Sequence, residues 1–196
     1  MRVASIPALT CPWLEDKIDV FCPSWKDNWI RGAHALAREL DRHEVQQVID
    51  LSKKAASRFG LKWEDLLERT GDHWKVDVMM VGHVPMLLIV HAHTLFTLVR
   101  RKSDFKTVES IGDEIRRCCP WYRYGGRVTV GKNLNRTLIG SITEIKRNTW
   151  GLYSPEQINA MERQINNCLF SYLSKVPRNY GTPFEAVEEY ARGLWP

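Results

Sequence analysis

Trp74-Lys-Val-Asp-Val-Met-Met-Val-Gly-His-Val-Pro-Met-Leu-Leu-Ile-Val-His-Ala-His-Thr-Leu-Phe-Thr-Leu-Val99 is the densest run of β-branched and apolar residues in the chain. Two turn signals break it, Gly82 to Pro85 and His91 to Thr94. It therefore reads as three antiparallel strands, over about 74–81, 86–91 and 94–100. Met86 to Val90 is apolar throughout, which suits a central strand covered on both faces. In the strand before it, Trp74, Val76, Val78 and Met80 alternate with Lys75, Asp77 and Met79, leaving one face half polar. The flanking sequence has helical spacing. The expected fold class is α+β: a small, mostly antiparallel sheet of about four strands, packed by N-terminal and C-terminal helices.

Working outward, residues 1–24 read as irregular, with Pro7, Pro12 and Pro23. Ser24 suits the cap of a helix from Trp25, and Asp41 the cap of a second helix to about Arg58, which Gly60 stops. Leu61 to Glu68 reads as one or two further helical turns. Beyond the strands, Ser103 or Asp104 caps a helix from Phe105 to about Cys118. Arg127 to Val130 is the fourth strand, and a helix over Asn135–Thr149 ends at Gly151. Ser154, Pro155 and Gln157 form a capping box for a helix to Lys175, burying Met161, Ile165 and Leu169. A last helix is expected from Pro183 to Leu194. The organisation expected is one domain over 1–196, with a helical part (1–72), a sheet-containing core with a basic segment (73–150) and C-terminal helices (151–196).

With 196 residues, 44% apolar and 26% charged, the chain is long enough for one domain with a real core. No run of about 18 apolar residues occurs, so no membrane partner is expected. Early prolines and the Glu15–Asp16 pair interrupt any secretory apolar region, so a cytoplasmic protein is expected. The five cysteines, Cys11, Cys22, Cys118, Cys119 and Cys168, are odd in number and form no framework, which suits free thiols. The net charge of +5 is unevenly placed: residues 100–147 hold twelve basic and five acidic side chains, a net of +7, leaving −2 elsewhere. Such a field suits a phosphate backbone or an acidic protein.

In order and spacing, Trp74, then Met86-Leu-Leu-Ile-Val90, then Thr94-Leu95-Phe96, then Asn135-Arg136-Thr137-Leu138-Ile139-Gly140-Ser141 form a pattern. By it, the stretch from about Trp74 to Ile145 resembles a family of small bacterial and plasmid-borne proteins described only as a domain of unknown function. The family's basic pair in the first turn is replaced here by Gly82-His83-Val84-Pro85. The resemblance implies an α+β domain of bacterial origin and no particular activity.

Within the basic segment the candidate binding residues are Arg100, Arg101, Lys102, Arg116, Arg117, Trp121, Tyr122, Arg123, Tyr124, Arg127, Lys132, Asn135 and Arg136. Trp121, Tyr122 and Tyr124 interleave with arginines, as in surfaces that stack on unpaired bases. Lys132, Asn135 and Arg136 sit where a strand gives way to a helix, a natural anion site. The competing expectation for Arg136 is a structural pairing with an acid such as Asp77 or Glu144. His91 and His93, with His83 from the neighbouring turn, could approach one another, but no carboxylate or cysteine stands at ligand spacing. No metal and no cofactor are expected. The weak catalytic candidates are His91, His93, Arg127 and Arg136, in a scattered nuclease-type site. The function expected is that of a non-enzymatic binding or regulatory protein of a bacterial mobile element or defence system, of toxin–antitoxin or phage-counterdefence type. Its partner would be RNA, DNA or an acidic protein. A nuclease-type toxin and a purely structural or assembly protein are the alternatives, and the oligomeric state is open.

Overall fold

A computed structural model describes residues 46–69, 74–122, 125–149, 151–170, 173 and 181–192. The helix expected from Trp25, the Asp41 cap, Arg123, Tyr124 and the terminal Trp195 lie outside these residues.

Six strands form one mixed sheet: β1 (Gln46–Leu51), β2 (Leu67–Arg69), β3 (Trp74–Val81), β4 (Val84–His91), β5 (Thr97–Arg101) and β6 (Gly125–Asn133). Their order across the sheet is β2-β6-β1-β3-β4-β5. The α+β class holds, but the sheet has six strands rather than about four, and half of it is parallel. β3–β4 and β4–β5 pair antiparallel, whereas β1–β3, β1–β6 and β2–β6 pair parallel.

The three-strand reading of 74–100 stands with shifted ends. Pairing of β3 with β4 continues to Val81 and Val84, so the turn is only Gly82 and His83, and Gly82 has φ +58. Pro85 lies inside β4, but before the first residue that pairs with β5, where its missing N–H costs no ladder bond. β5 begins at Thr97 instead of residue 94, because Leu95 takes a left-handed φ of 54° in the connection and donates its N–H to His91 O at 2.9 Å.

The part expected to be helical supplies two strands. Gln46–Leu51 is buried on both faces, Gln47, Ile49 and Leu51 on one and Val48 and Asp50 on the other. A strand covered on both sides shows no period of two, so its apolar residues mimic helical spacing. The helix there shrinks to α1 (Lys53–Arg58), capped by Ser52. Leu61–Glu68 becomes a 3-10 turn, Trp63–Asp65, followed by β2, which exists because Leu67, Glu68 and Arg69 align with Gly131, Lys132 and Asn133.

α2 (Val108–Cys118) is capped by Thr107 rather than by Ser103 or Asp104, which belong to a 3-10 turn at Lys102–Asp104. α3 (Arg136–Thr149) lies as expected, with Asn135 as its cap. α4 (Ile158–Asn167) starts later and ends sooner than the capping box implied. Ser154 does donate its N–H to Gln157 Oε1 at 2.9 Å, but this closes a separate turn ahead of the helix. The chain then leaves helical geometry so that Phe170, 2% exposed, bridges to Gly181, and Leu169 is 64% exposed rather than buried. α5 (Pro183–Ala191) opens with a full capping box between Thr182 and Glu185.

Helices cover both faces. α1 and α2 bury Ala55, Ala56, Ile111 and Ile115 against Ile49, Leu51, Val76, Leu87 and Ile89. α3 and α4 bury Leu138, Ile142, Ile145, Met161 and Ile165 against Met79, Met86, Leu88 and Val90. Among the described residues no helix is long and apolar enough to cross a membrane.

Candidate functional site

β1 and β6 are parallel neighbours, yet the helix after β1 packs on one face and the helix after β6 on the other. The chain therefore diverges beyond the carboxyl ends of these two strands, the topological position at which a crevice is expected and open sheets take ligands. On one side stands Ser52, whose Oγ accepts from Ala55 N at 3.1 Å and donates to Asp77 Oδ1 at 2.6 Å. Lys146 of α3 donates to the other Asp77 oxygen at 2.5 Å. Beneath them Asp50 and Lys75, 0% and 1% exposed, form a buried ion pair. Gly131 is required here: a Cβ on it would stand 2.2 Å from Asp50 Oδ1.

The other side is the start of α3. Asn135 Oδ1 accepts from Leu138 N at 3.1 Å, and Asn135 O from Ile139 N at 2.9 Å. The N–H groups of Arg136 and Thr137, in the first turn, have no helix carbonyl within reach. Both side chains are exposed. Asn133, the last residue of β6, shares a strand face with Gly131. It is 5% exposed, and its Oδ1 is buried with no hydrogen-bond partner.

The positive segment is mostly consumed by internal pairing. Arg100 of β5 meets Glu114 of α2 and Glu162 of α4, each at 2.5 Å. Burial works against the Arg100 charge, but these two carboxylates hold its pKa above the usual value. For Glu114 burial acts to raise the pKa, and hydrogen bonds from Arg117 and Arg100 outweigh it, bringing it down to about 2. Arg117 reaches Glu114 at 2.7 Å, and Arg116 reaches Asp113 at 3.3 Å. Arg101 donates to Pro155 O at 3.2 Å and stands 3.9 Å from Glu156. Lys102 lies over the Phe59 ring and donates to Phe105 O. Lys132 is turned away from the crevice, to Glu68 and Glu64 O. The pairing expected for Arg136 with Asp77 or Glu144 is not found among the described residues: Lys146 takes Asp77, and no ion pair joins Arg136 to Glu144. Arg136, Arg127, Lys106 and Arg147 remain exposed, with no carboxylate partner among the described residues.

Trp121 and Tyr122 are not stacking platforms. They are half-buried and pack with Trp74, His91, Phe96 and Tyr190 on the α2 side of the sheet. Gln47 and Trp74 Nε1 are buried there without hydrogen-bond partners. The rings around Trp74 lie at centroid separations of 5.0 to 6.1 Å, too close to admit another ring.

The four catalytic candidates do not assemble. His91 and His93 are neighbours at 5.8 Å between centroids. Arg127 lies on β6, three strands away across β3 and β1, about 14 Å at the usual strand spacing. Arg136 follows the opposite end of β6. His83 sits in the turn before β4, at the far end from His91 and about 26 Å away along the strand, so it does not approach the other two. Among the described residues no three His, Cys, Asp or Glu side chains are grouped to hold a metal. No family model, curated protein or solved structure matches the chain.

The sequence reading placed Asn135 and Arg136 at this junction and named Asp77 as an acid beside it, but did not pair Asp50 with Lys75 or Asp77 with Lys146. One signal was present: Lys75 and Asp77 fall on the same face of a strand whose other face is wholly apolar, which marks charges turned inward.

Proposed function

We propose that this protein is a non-enzymatic binding protein that engages a nucleic-acid backbone through the outward face of α3. The observation that carries this is a pair of exposed arginines, Arg136 and Arg147, that no carboxylate engages among the described residues. Eleven residues apart on a helix, they fall on one stripe about 16.5 Å long. Gly140 and Thr143, both small and exposed, lie between them on that stripe. The span corresponds to about five phosphate steps of a duplex strand. The setting in a bacterial mobile element or defence system rests only on the resemblance of residues 74–145.

Fluorescence anisotropy with short RNA and DNA over a salt series tests the reading. Affinity should fall steeply with salt, and Arg136→Ala with Arg147→Ala together should lower the salt slope by about two contacts. No binding of either nucleic acid at low salt removes the proposal. Saturable binding to an acidic protein instead would replace it with the protein-partner alternative.

A further inference from the structure

We propose that the preferred ligand is a single nucleic-acid strand, which passes from α3 over the carboxyl-end edge of the sheet onto a second basic surface, the outer side of α1. The inference rests on the nucleic-acid reading above and names the class of strand that is bound.

The second surface lies outside the basic segment of residues 100–147. Ser52-Lys-Lys-Ala-Ala-Ser-Arg-Phe-Gly-Leu-Lys62 holds four basic side chains and no acid. α1 turns Ala55 and Ala56 inward, both 0% exposed. At about 100° per residue its opposite side carries Lys53, Lys54, Ser57 and Arg58, all exposed. Lys62, also exposed, follows the turn at Gly60. None of these four cations has a carboxylate partner among the described residues. Arg100, Arg116 and Arg117 are by contrast spent on acids of the same chain. The free positive charge therefore collects on α1 as well as on α3.

The topology joins the two surfaces. β1 and β6 are parallel neighbours, with Leu51 opposite Lys132. Lys53 follows Leu51 by two residues and Arg136 follows Lys132 by four, so both helices leave the same edge of the sheet. Neither has an acid in its first turn. Asp77, which accepts from the Ser52 hydroxyl at this edge, is neutralised by Lys146. From there α1 and α3 run back along opposite faces of the sheet.

That geometry selects the ligand. With a helix about 10 Å across on each face, the two outward surfaces stand more than about 20 Å apart and face away from each other. A duplex, stiff over about 150 base pairs, lies along one of them and cannot fold back over the edge to meet the other. A single strand turns at each nucleotide, and its phosphates can follow Arg147, Arg136, Lys53, Lys54 and Arg58 around the edge.

Anisotropy on the full chain should compare a labelled single strand of about 16 nucleotides with a duplex of the same sequence. Lys53→Ala with Lys54→Ala should weaken single-strand binding by about tenfold or more at about 0.1 M salt, and lower the salt slope by about 1.4, the value of two contacts. The same pair of changes should leave duplex affinity unchanged. Arg136→Ala with Arg147→Ala should weaken both ligands. Lys53→Arg with Lys54→Arg keeps the charges and should bind the single strand as the unaltered protein does. A circular dichroism melt establishes that each variant is folded. Single-strand affinity unchanged by Lys53→Ala with Lys54→Ala, or duplex affinity that falls equally, overturns this inference and leaves the α3 reading standing. So does loss of binding in the charge-conserving pair. Single-strand binding that depends on Lys53 and Lys54 but is indifferent to Arg136 and Arg147 overturns both readings and assigns the strand to α1 alone. Binding of phosphatidylserine vesicles with no binding of either oligonucleotide also overturns both, and assigns α1 to an anionic lipid surface.

Discussion

Strands β3, β4 and β5 are joined by connections of two and five residues, whereas β1 and β6, which lie side by side, are separated by 73 residues of chain. The two halves of the sheet are also held differently. The antiparallel half has a closed edge. Asn166 of α4 accepts from Thr97 N and donates to Thr97 O, both at 2.8 Å, and Glu162 accepts from Val99 N at 2.8 Å. Two side chains one helical turn apart thus stand in for a neighbouring strand, and the edge of β5 cannot template another chain. The parallel half carries buried charge, a required glycine and the crevice. The candidate site therefore lies where the chain meets itself over long distances, beside a meander built from local connections.

The comparison breaks most sharply at Lys75. Lys75→Met leaves the fully buried Asp50 carboxylate without its ammonium, and should cost about 3–5 kcal/mol in a urea melt. Adding Asp50→Asn strands no charge and should recover most of that loss. If the single variant melts as the unaltered protein does, the parallel half is not organised around this pair.

Acid attacks the other half. The Glu114 pKa sits at about 2 in the folded protein against an ordinary 4.5. Its contribution is therefore fully present above pH 4.5 and is lost as the pH falls from there towards 2. By linkage this is worth about 3 kcal/mol, shared with Arg100 and Arg117. Stability followed over that window should decline, and Glu114→Gln should flatten the part of the decline that this carboxyl causes. An unchanged slope in the variant would show that Arg100 and Arg117 do not hold this carboxylate.

Opening the edge is a smaller step. Asn166→Leu deprives Thr97 of both backbone partners and should cost about 1–3 kcal/mol. Because the exposed edge can then pair with other chains, aggregation on heating should rise more than the midpoint shift accounts for. Light scattering during the melt reads this. The smallest effect belongs to the crevice rim: Arg136→Ala should leave the urea midpoint within about 0.5 kcal/mol, as for other surface changes. A larger drop would mean that Arg136 has a structural partner.

The legible parts of this protein share one property: a few adjacent residues encode them. The β3–β4 hairpin follows from Gly82 between apolar runs, α3 from the Asn135 cap and its stripe of Leu138, Ile142 and Ile145, and the stops at Gly60 and Gly151 from the glycines themselves, which take φ +70 and +76. β1 was illegible because burial on both faces erases the alternation that marks a strand. β2 was illegible because three residues carry no period at all. α4 was overextended because its capping box is real but closes a turn of its own, and the packing of Phe170 decides where the helix ends.

For the site, sequence alone determined that a basic segment contains a strand-to-helix junction bearing Asn135 and Arg136, since caps and net charge are local quantities. Only the tertiary structure decided which of those charges remain available. Ion pairing depends on which carboxylates arrive from elsewhere in the chain: Glu162 reaches Arg100 from 62 residues away and Asp77 reaches Lys146 from 69. The same long-range assembly drew Trp121 and Tyr122 into the aromatic layer around Trp74. A side chain's chemistry is written in its own residue, but its exposure and its partner are set by the fold.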